Sequence, residues 1–123
     1  MNKDLHIDNE ITLTKNLTFS EFATSGLYNN QTYGDNRFFW LNKLCPINNS
    51  EHLFKIGLCF RDRLLKRVEL FCIDENIKDE EQRYQIHQKI VDQLLEQIDL
   101  QRAAITNTYD ERGKYNSIII NYD

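Results

Sequence analysis

Three histidines, three cysteines and two runs of carboxylates are the groups of this chain that could carry chemistry. A zinc ion needs imidazoles, thiolates or carboxylates brought together at short spacing on one element or one hairpin. His6, His52 and His87 stand far apart, and neither H-x-x-x-H nor H-x-x-E occurs. No metal site is therefore expected. His87 falls on the apolar side of a helical pattern and reads as a core histidine, satisfied by a backbone carbonyl or a tyrosine. Cys45, Cys59 and Cys72 form no C-x-x-C pair. Cys59 and Cys72 sit in alternating apolar runs, where a reduced cysteine behaves as a small hydrophobe. There is no G-x-S-x-G, and the four glycines are too scattered for a phosphate loop. Asp74-Glu75 and Asp79-Glu80-Glu81 crowd a helix start, where capping and the helix dipole explain them without acid–base work. The chain is read as a non-enzyme with no catalytic residue, no cofactor and no small-molecule substrate.

The elements that must position any working surface follow from spacing. "EITLT" at residues 10–14 predicts a strand. Thr18 followed by Glu21 is a capping box, Gly26 suits a helix stop, and a short helix is expected over Phe19 to Ser25 with Phe19 and Phe22 inward. "RFFWLNKLC", residues 37–45, has the aromatic content of a strand. In "FKIGLCFRDRLLKRVELFCID", residues 54–74, Phe54, Ile56, Leu58 and Phe60 alternate with polar or small residues. After Arg61-Asp62-Arg63 the alternation resumes at Val68, Leu70 and Cys72, the period of an antiparallel hairpin. A long helix begins at Asp79, with Gln82 at the reciprocal capping position. Its apolar stripe is Tyr84, His87, Ile90, Val91, Leu94, Leu95 and Ile98, facing a sheet. "AAITNTYDERGKYNSIIINY" closes the chain as two strands around Asp110 to Lys114, with Gly113 available for a left-handed position.

The order β-α-β-β-β-α-β-β predicts a single α+β domain over 1–123. Its antiparallel sheet is expected to have about six strands, with one long helix packed on it and a short N-terminal helix. The histidine at position 6 falls in a stretch expected to fray. The opening "MNKDLHIDNEITLTKN" has no apolar run of the kind that directs export, and nowhere do eighteen apolar residues follow one another. A cytoplasmic protein without a membrane segment is the expectation.

Charge is unevenly spread. Residues 37–67 hold seven basic and two acidic residues, the remainder eight basic and seventeen acidic, within a net charge of −4. The basic part offers Arg61, Arg63, Lys66 and Arg67 to a phosphate backbone, with Phe38, Phe39 and Trp40 nearby as a stacking platform. An acidic chain as a whole argues against a dedicated nucleic-acid binder, so nucleic acid is not the expected partner. The acidic side suits a basic protein partner, and its contact is expected at Asp74, Glu75, Asp79, Glu80 and Glu81.

Three segments carry a resemblance. "YDERGKYNSIIINYD", "LTFSEFATSGLY" and "FKIGLCFRDRLLKRVEL" resemble, in the same order, stretches of small bacterial α+β proteins of no assigned activity. Some of those are similar to the immunity proteins of polymorphic-toxin and contact-dependent growth inhibition systems. The resemblance implies a protein that neutralises a cognate toxin domain by binding and occluding it, and it carries over no functional residue. Were that toxin a nuclease, its basic cleft would suit an acidic inhibitor. The alternatives are a self-associating structural or accessory protein pairing through a free sheet edge, and a weak nucleic-acid binder using the 61–67 turn.

Overall fold

The computed structural model describes residues 5–8, 10–28, 38–47, 52–73, 77–97 and 103–122. Asp74, Glu75 and Ile98 lie outside them. The elements are β1 (Leu5–Ile7), β2 (Ile11–Leu13), α1 (Phe19–Ala23), β3 (Phe38–Trp40), β4 (Leu53–Arg61), β5 (Leu64–Ile73), α2 (Glu80–Gln97), β6 (Ala103–Asp110) and β7 (Tyr115–Tyr122). The class is α+β and every strand pairing is antiparallel.

The strands divide otherwise than expected. One five-stranded sheet has the order β3-β4-β5-β7-β6, and β1 and β2 form a separate pair. His6 does not lie in a frayed tail: it is in β1, with Nδ1 3.1 Å from Oγ1 of Thr12 across the pair. Leu5, Ile7, Ile11 and Leu13 are all buried, so this small pair is held by packing on the core, which a short charge-interrupted sequence does not advertise.

Helix α1 starts as expected. Thr18 Oγ1 accepts from the Glu21 N–H at 3.1 Å, and Glu21 Oε1 accepts from the Thr18 N–H at 3.3 Å. It ends at Ala23 rather than Ser25, because the Ser25 hydroxyl turns back onto the Phe22 carbonyl at 2.7 Å. Strand β3 ends at Trp40 because Asn42 leaves the ladder for the loop behind it. Its N–H donates to the Leu27 carbonyl at 3.0 Å and its Nδ2 to the Gly26 carbonyl at 2.7 Å.

The β4–β5 hairpin turns on Asp62 and Arg63, with φ of 54° and 70°. Two positive φ values in a two-residue loop are the twist-matched hairpin turn that normally takes Asn-Gly. An arginine there bears the left-handed cost of roughly 1–2 kcal/mol. Arg63→Gly should therefore raise stability by about 0.5–1 kcal/mol after the entropy glycine adds to the unfolded chain, read as a higher urea midpoint at unchanged slope. Beyond the turn the register slips once, from Cys59↔Arg67 to Phe60↔Leu65. Lys66 is the extra residue of a bulge, and it lets Leu65 and Val68, of opposite parity, both face inward.

The core lies on one face of the sheet. Phe39, Phe54, Ile56, Leu58, Val68, Leu70, Ile118 and Ile120 point into it. Helix α1 delivers Phe22 against Phe39 and Phe60, at centroid distances of 6.0 and 5.7 Å. Helix α2 lies over the β6–β7 pair and buries His87, Ile90, Val91 and Leu94. Its stripe is narrower than expected: Tyr84 is 42% and Leu95 53% exposed, because both sit on one flank of the helix, off the line from its axis to the sheet.

Candidate functional site

Where α2 meets the sheet, a closed set of polar contacts replaces part of the β5–β7 ladder. The last pair of that ladder is Leu70↔Ile118, and continuing its register would set Cys72 opposite Asn116. Instead the Cys72 N–H donates to Nε2 of His87 at 3.1 Å, and the Cys72 carbonyl accepts from Nε of Arg83 at 3.1 Å. The Asn116 N–H donates to Oε2 of Glu80 at 2.8 Å. His87 Nδ1 lies 2.5 Å from Asn116 Oδ1, Asn116 Nδ2 donates to the Thr108 carbonyl at 3.0 Å, and Glu80 and Arg83 form an ion pair. Three side chains of α2 thus take up main-chain groups that the two strands leave to each other elsewhere. An acceptor role at Nε2 requires the proton on Nδ1, so His87 is neutral here. Burial, above all, lowers its pKa to about 4, with Arg83 adding to that and Asn116 opposing it.

This arrangement is structural. Among the described residues its side chains bond to one another and to the main chain of β5, β6 and β7. His6, His52 and His87 are not brought together, and among the described residues no three metal-ligating side chains meet. No helix of the described residues is long and apolar enough to cross a membrane.

The acidic helix start is partly consumed by the fold. Asp79 Oδ1 accepts from the Gln82 N–H at 2.8 Å, and Gln82 Oε1 accepts from the Lys78 N–H at 2.9 Å, so both cap α2. The expected contact residue Glu80 turns inward to Asn116 and Arg83. Of the five carboxylates expected to meet a partner, Asp79 and Glu81 are exposed on the described surface.

The other face of the sheet is a different surface. Helices α1 and α2 and the β1–β2 pair rest on the core side, and α2 reaches the opposite one at Phe71, through Arg83 and His87. On that opposite face Phe38 and Trp40 pack edge to face at 4.9 Å, and Lys55 Nζ stands 4.5 Å from the Trp40 ring centroid. The outer end of the Phe38 ring sits over Gly57 in the space an added Cβ would need; glycine here admits an aromatic ring to the sheet surface. Next across the strands from Gly57 is Glu69, and next from Cys59 is Arg67. Phe71 packs against Tyr115 at 5.8 Å, with the Arg83 guanidinium 4.3 Å from its centroid. No family model, curated protein or solved structure matches the chain. Its surfaces therefore carry the functional argument.

Three features of this face matter chemically. Phe38, Trp40, Phe71 and Ile119 are half-buried by their own neighbours yet still reach solvent. Glu69 is half-buried among them, and desolvation, ahead of Asp110, raises its pKa while Arg67 opposes the rise. Burial does the same to the Tyr115 phenol, with Glu69 and Asp110 adding to it. Sequence alternation sets Lys55, Gly57 and Cys59 with Arg67, Glu69 and Phe71 on the face of the hairpin opposite to Phe54, Ile56, Leu58, Val68, Leu70 and Cys72. It had grouped Phe38 with Phe39 and Trp40 as one platform, whereas Phe39 points into the core. The basic residues Arg61 and Arg63 stand at the hairpin tip. Beside that tip, on the core side, Phe19, Phe39 and Phe60 line a cleft of about 360 Å³ rimmed by Asp62 and Arg63.

Proposed function

We propose that this chain acts by binding another protein through the open face of its sheet, most concretely as an immunity protein that occludes a cognate bacterial toxin without chemistry of its own. The observation that carries the reading is the make-up of that face. Phe38 and Trp40 on the edge strand β3, with Phe71, Tyr115 and Ile119 further across the sheet, give it apolar surface, and Lys55, Arg67 and Glu69 stand between them. Interface centres have this composition, enriched in aromatics and arginine and fixed in orientation by a few charges. A regular sheet braced from behind holds such side chains in place before the partner arrives, which lowers the cost of ordering them. The reading moves the contact from the acidic helix start to the sheet, since Asp79 and Glu80 already serve the fold.

The test uses the full chain, tagged and expressed in its native cells. A stoichiometric protein partner should be captured, and the isolated toxic domain of that partner should be neutralised by the purified chain. Trp40→Ala should weaken the complex by about 30-fold or more, the size of a well-packed aromatic anchor. Asp79→Lys with Glu81→Lys should leave its affinity within a few-fold. Equal affinity for wild type and Trp40→Ala would remove the open face from the reading. Capture of nucleic acid alone, released by salt, would replace it with the nucleic-acid alternative.

A further inference from the structure

Strand β6 forms one edge of the five-stranded sheet, and its own sequence carries few of the devices that natural edges use to avoid pairing, the one charge being Asp110 at its end. Its sequence AAITNTYD has no proline, glycine, lysine or arginine. Its register with β7 runs unbroken through all eight residues, from Ala103↔Tyr122 to Asp110↔Tyr115. No strand of the described residues pairs with its outer side.

The direction of its main-chain groups follows from the ladder. Cys45 and Phe54 exchange both backbone hydrogen bonds, and the Ile56 carbonyl accepts from Leu41. Hydrogen-bonded and non-bonded pairs alternate along an antiparallel ladder. Counting across β4, β5 and β7 from that point, Thr106 and Thr108 bond to β7, and Ile105, Asn107 and Tyr109 turn their N–H and C=O groups outward. Above this edge the Tyr84 carbonyl accepts from Asn107 Nδ2 at 3.1 Å. Tyr84 and Tyr109, 42% and 49% exposed, therefore flank the same free edge.

We infer that β6 is a self-pairing edge, and that two copies of this chain join there as an antiparallel β6–β6 dimer with a continuous ten-stranded sheet. A two-fold axis at Asn107 sets Ile105 opposite Tyr109 of the second copy and Thr106 opposite its Thr108. The one charge on the strand, Asp110, faces Ala104 and not itself. This register matches a branched aliphatic with an aromatic and threonine with threonine, both favourable cross-strand pairs. The helices fit as well. With α2 over the β6–β7 pair and strands about 4.8 Å apart, the two α2 axes stand about 10 Å apart, a normal helix-packing distance. They meet beside Tyr84. The interface leaves the open sheet face free, so the inference does not depend on the toxin reading.

Sedimentation equilibrium of the full chain over a wide concentration range tests it. The mass should rise to that of two chains. Thr106→Lys with Thr108→Lys, both exposed positions, places lysine against lysine at two points of the axis and should weaken the dimer by roughly tenfold or more. Thr106→Lys with Thr108→Glu places each lysine against the other copy's glutamate and should restore it. A mass that stays at one chain throughout overturns the inference. So does a Lys/Glu variant that associates no better than the Lys/Lys variant, because a strand from any other protein would not distinguish them in this way.

Discussion

Between pH 6.5 and about 4 the protein should lose roughly 3 kcal/mol of stability through one residue, His87. In the unfolded chain an imidazole takes up its proton near pH 6.5. In the folded chain it resists protonation until about 4, because it is buried and its Nε2 accepts from the Cys72 N–H. A group whose folded pKa is depressed in this way contributes nothing above 6.5, where both states are neutral. As pH falls through the window the unfolded state binds the proton and the folded state does not, so stability falls with pH. Below about 4 both states are charged and the loss is complete. His87→Gln cannot titrate there. Urea unfolding at a series of pH values should show wild type losing about 3 kcal/mol more than His87→Gln between pH 7 and 4. Curves that stay parallel would mean that the imidazole keeps its ordinary pKa.

Phe22→Ala should cost about 4 kcal/mol, within the 3–5 kcal/mol typical of a buried phenylalanine. Phe22 is fully buried, and four rings surround it: Phe19 at 6.2 Å, Tyr28 at 5.3 Å, Phe39 at 6.0 Å and Phe60 at 5.7 Å. It comes from a helix of only five residues, too short to be stable alone, so docking of this ring is what keeps α1 helical. The void left by alanine cannot close easily, since its walls belong to two strands and a loop. Phe19→Ala is the control. Phe19 is half-buried at the mouth of the 360 Å³ cleft and should cost about half as much. Urea midpoints at constant slope measure both. If the two changes cost the same, the cluster does not centre on Phe22.

Local signals were legible where they are self-contained. The capping box at Thr18, the alternation of β4 and β5, the start of α2 at Asp79 and the last hairpin all depend on residues within a few positions of one another, although in that hairpin the left-handed residue is Lys114 and not Gly113. What could not be read depends on distance. That β7 inserts between β5 and β6 is a property of packing, with no marker in either strand. His87 was expected in the core, but its partners come from 15 residues before it and 29 after, and they are a backbone N–H and an asparagine where a carbonyl or a tyrosine was expected. Glu80 reads as one more solvated acid until β7 brings the Asn116 N–H to it from 36 residues away. The open face was half legible. Alternation marked its β4 and β5 residues, while the role of Gly57 appears only once Phe38 is set over it.

The polar contacts between α2 and the split strands also act as an error check on assembly. A strand displaced by one residue exposes its whole apolar side and is rejected at once. A displacement by two is more dangerous, because it keeps the faces and, in β7, would exchange Ile118 for Ile120 with no change in apolar character. Hydrophobic burial is nearly blind to that mistake. The asparagine is not, for it alone offers a side-chain acceptor to His87 and a side-chain donor to the Thr108 carbonyl. With β7 shifted, isoleucine or lysine would stand there and the buried imidazole would lose its side-chain acceptor, at about 1–3 kcal/mol. Those few buried hydrogen bonds therefore select one alignment among several that an oily core would accept.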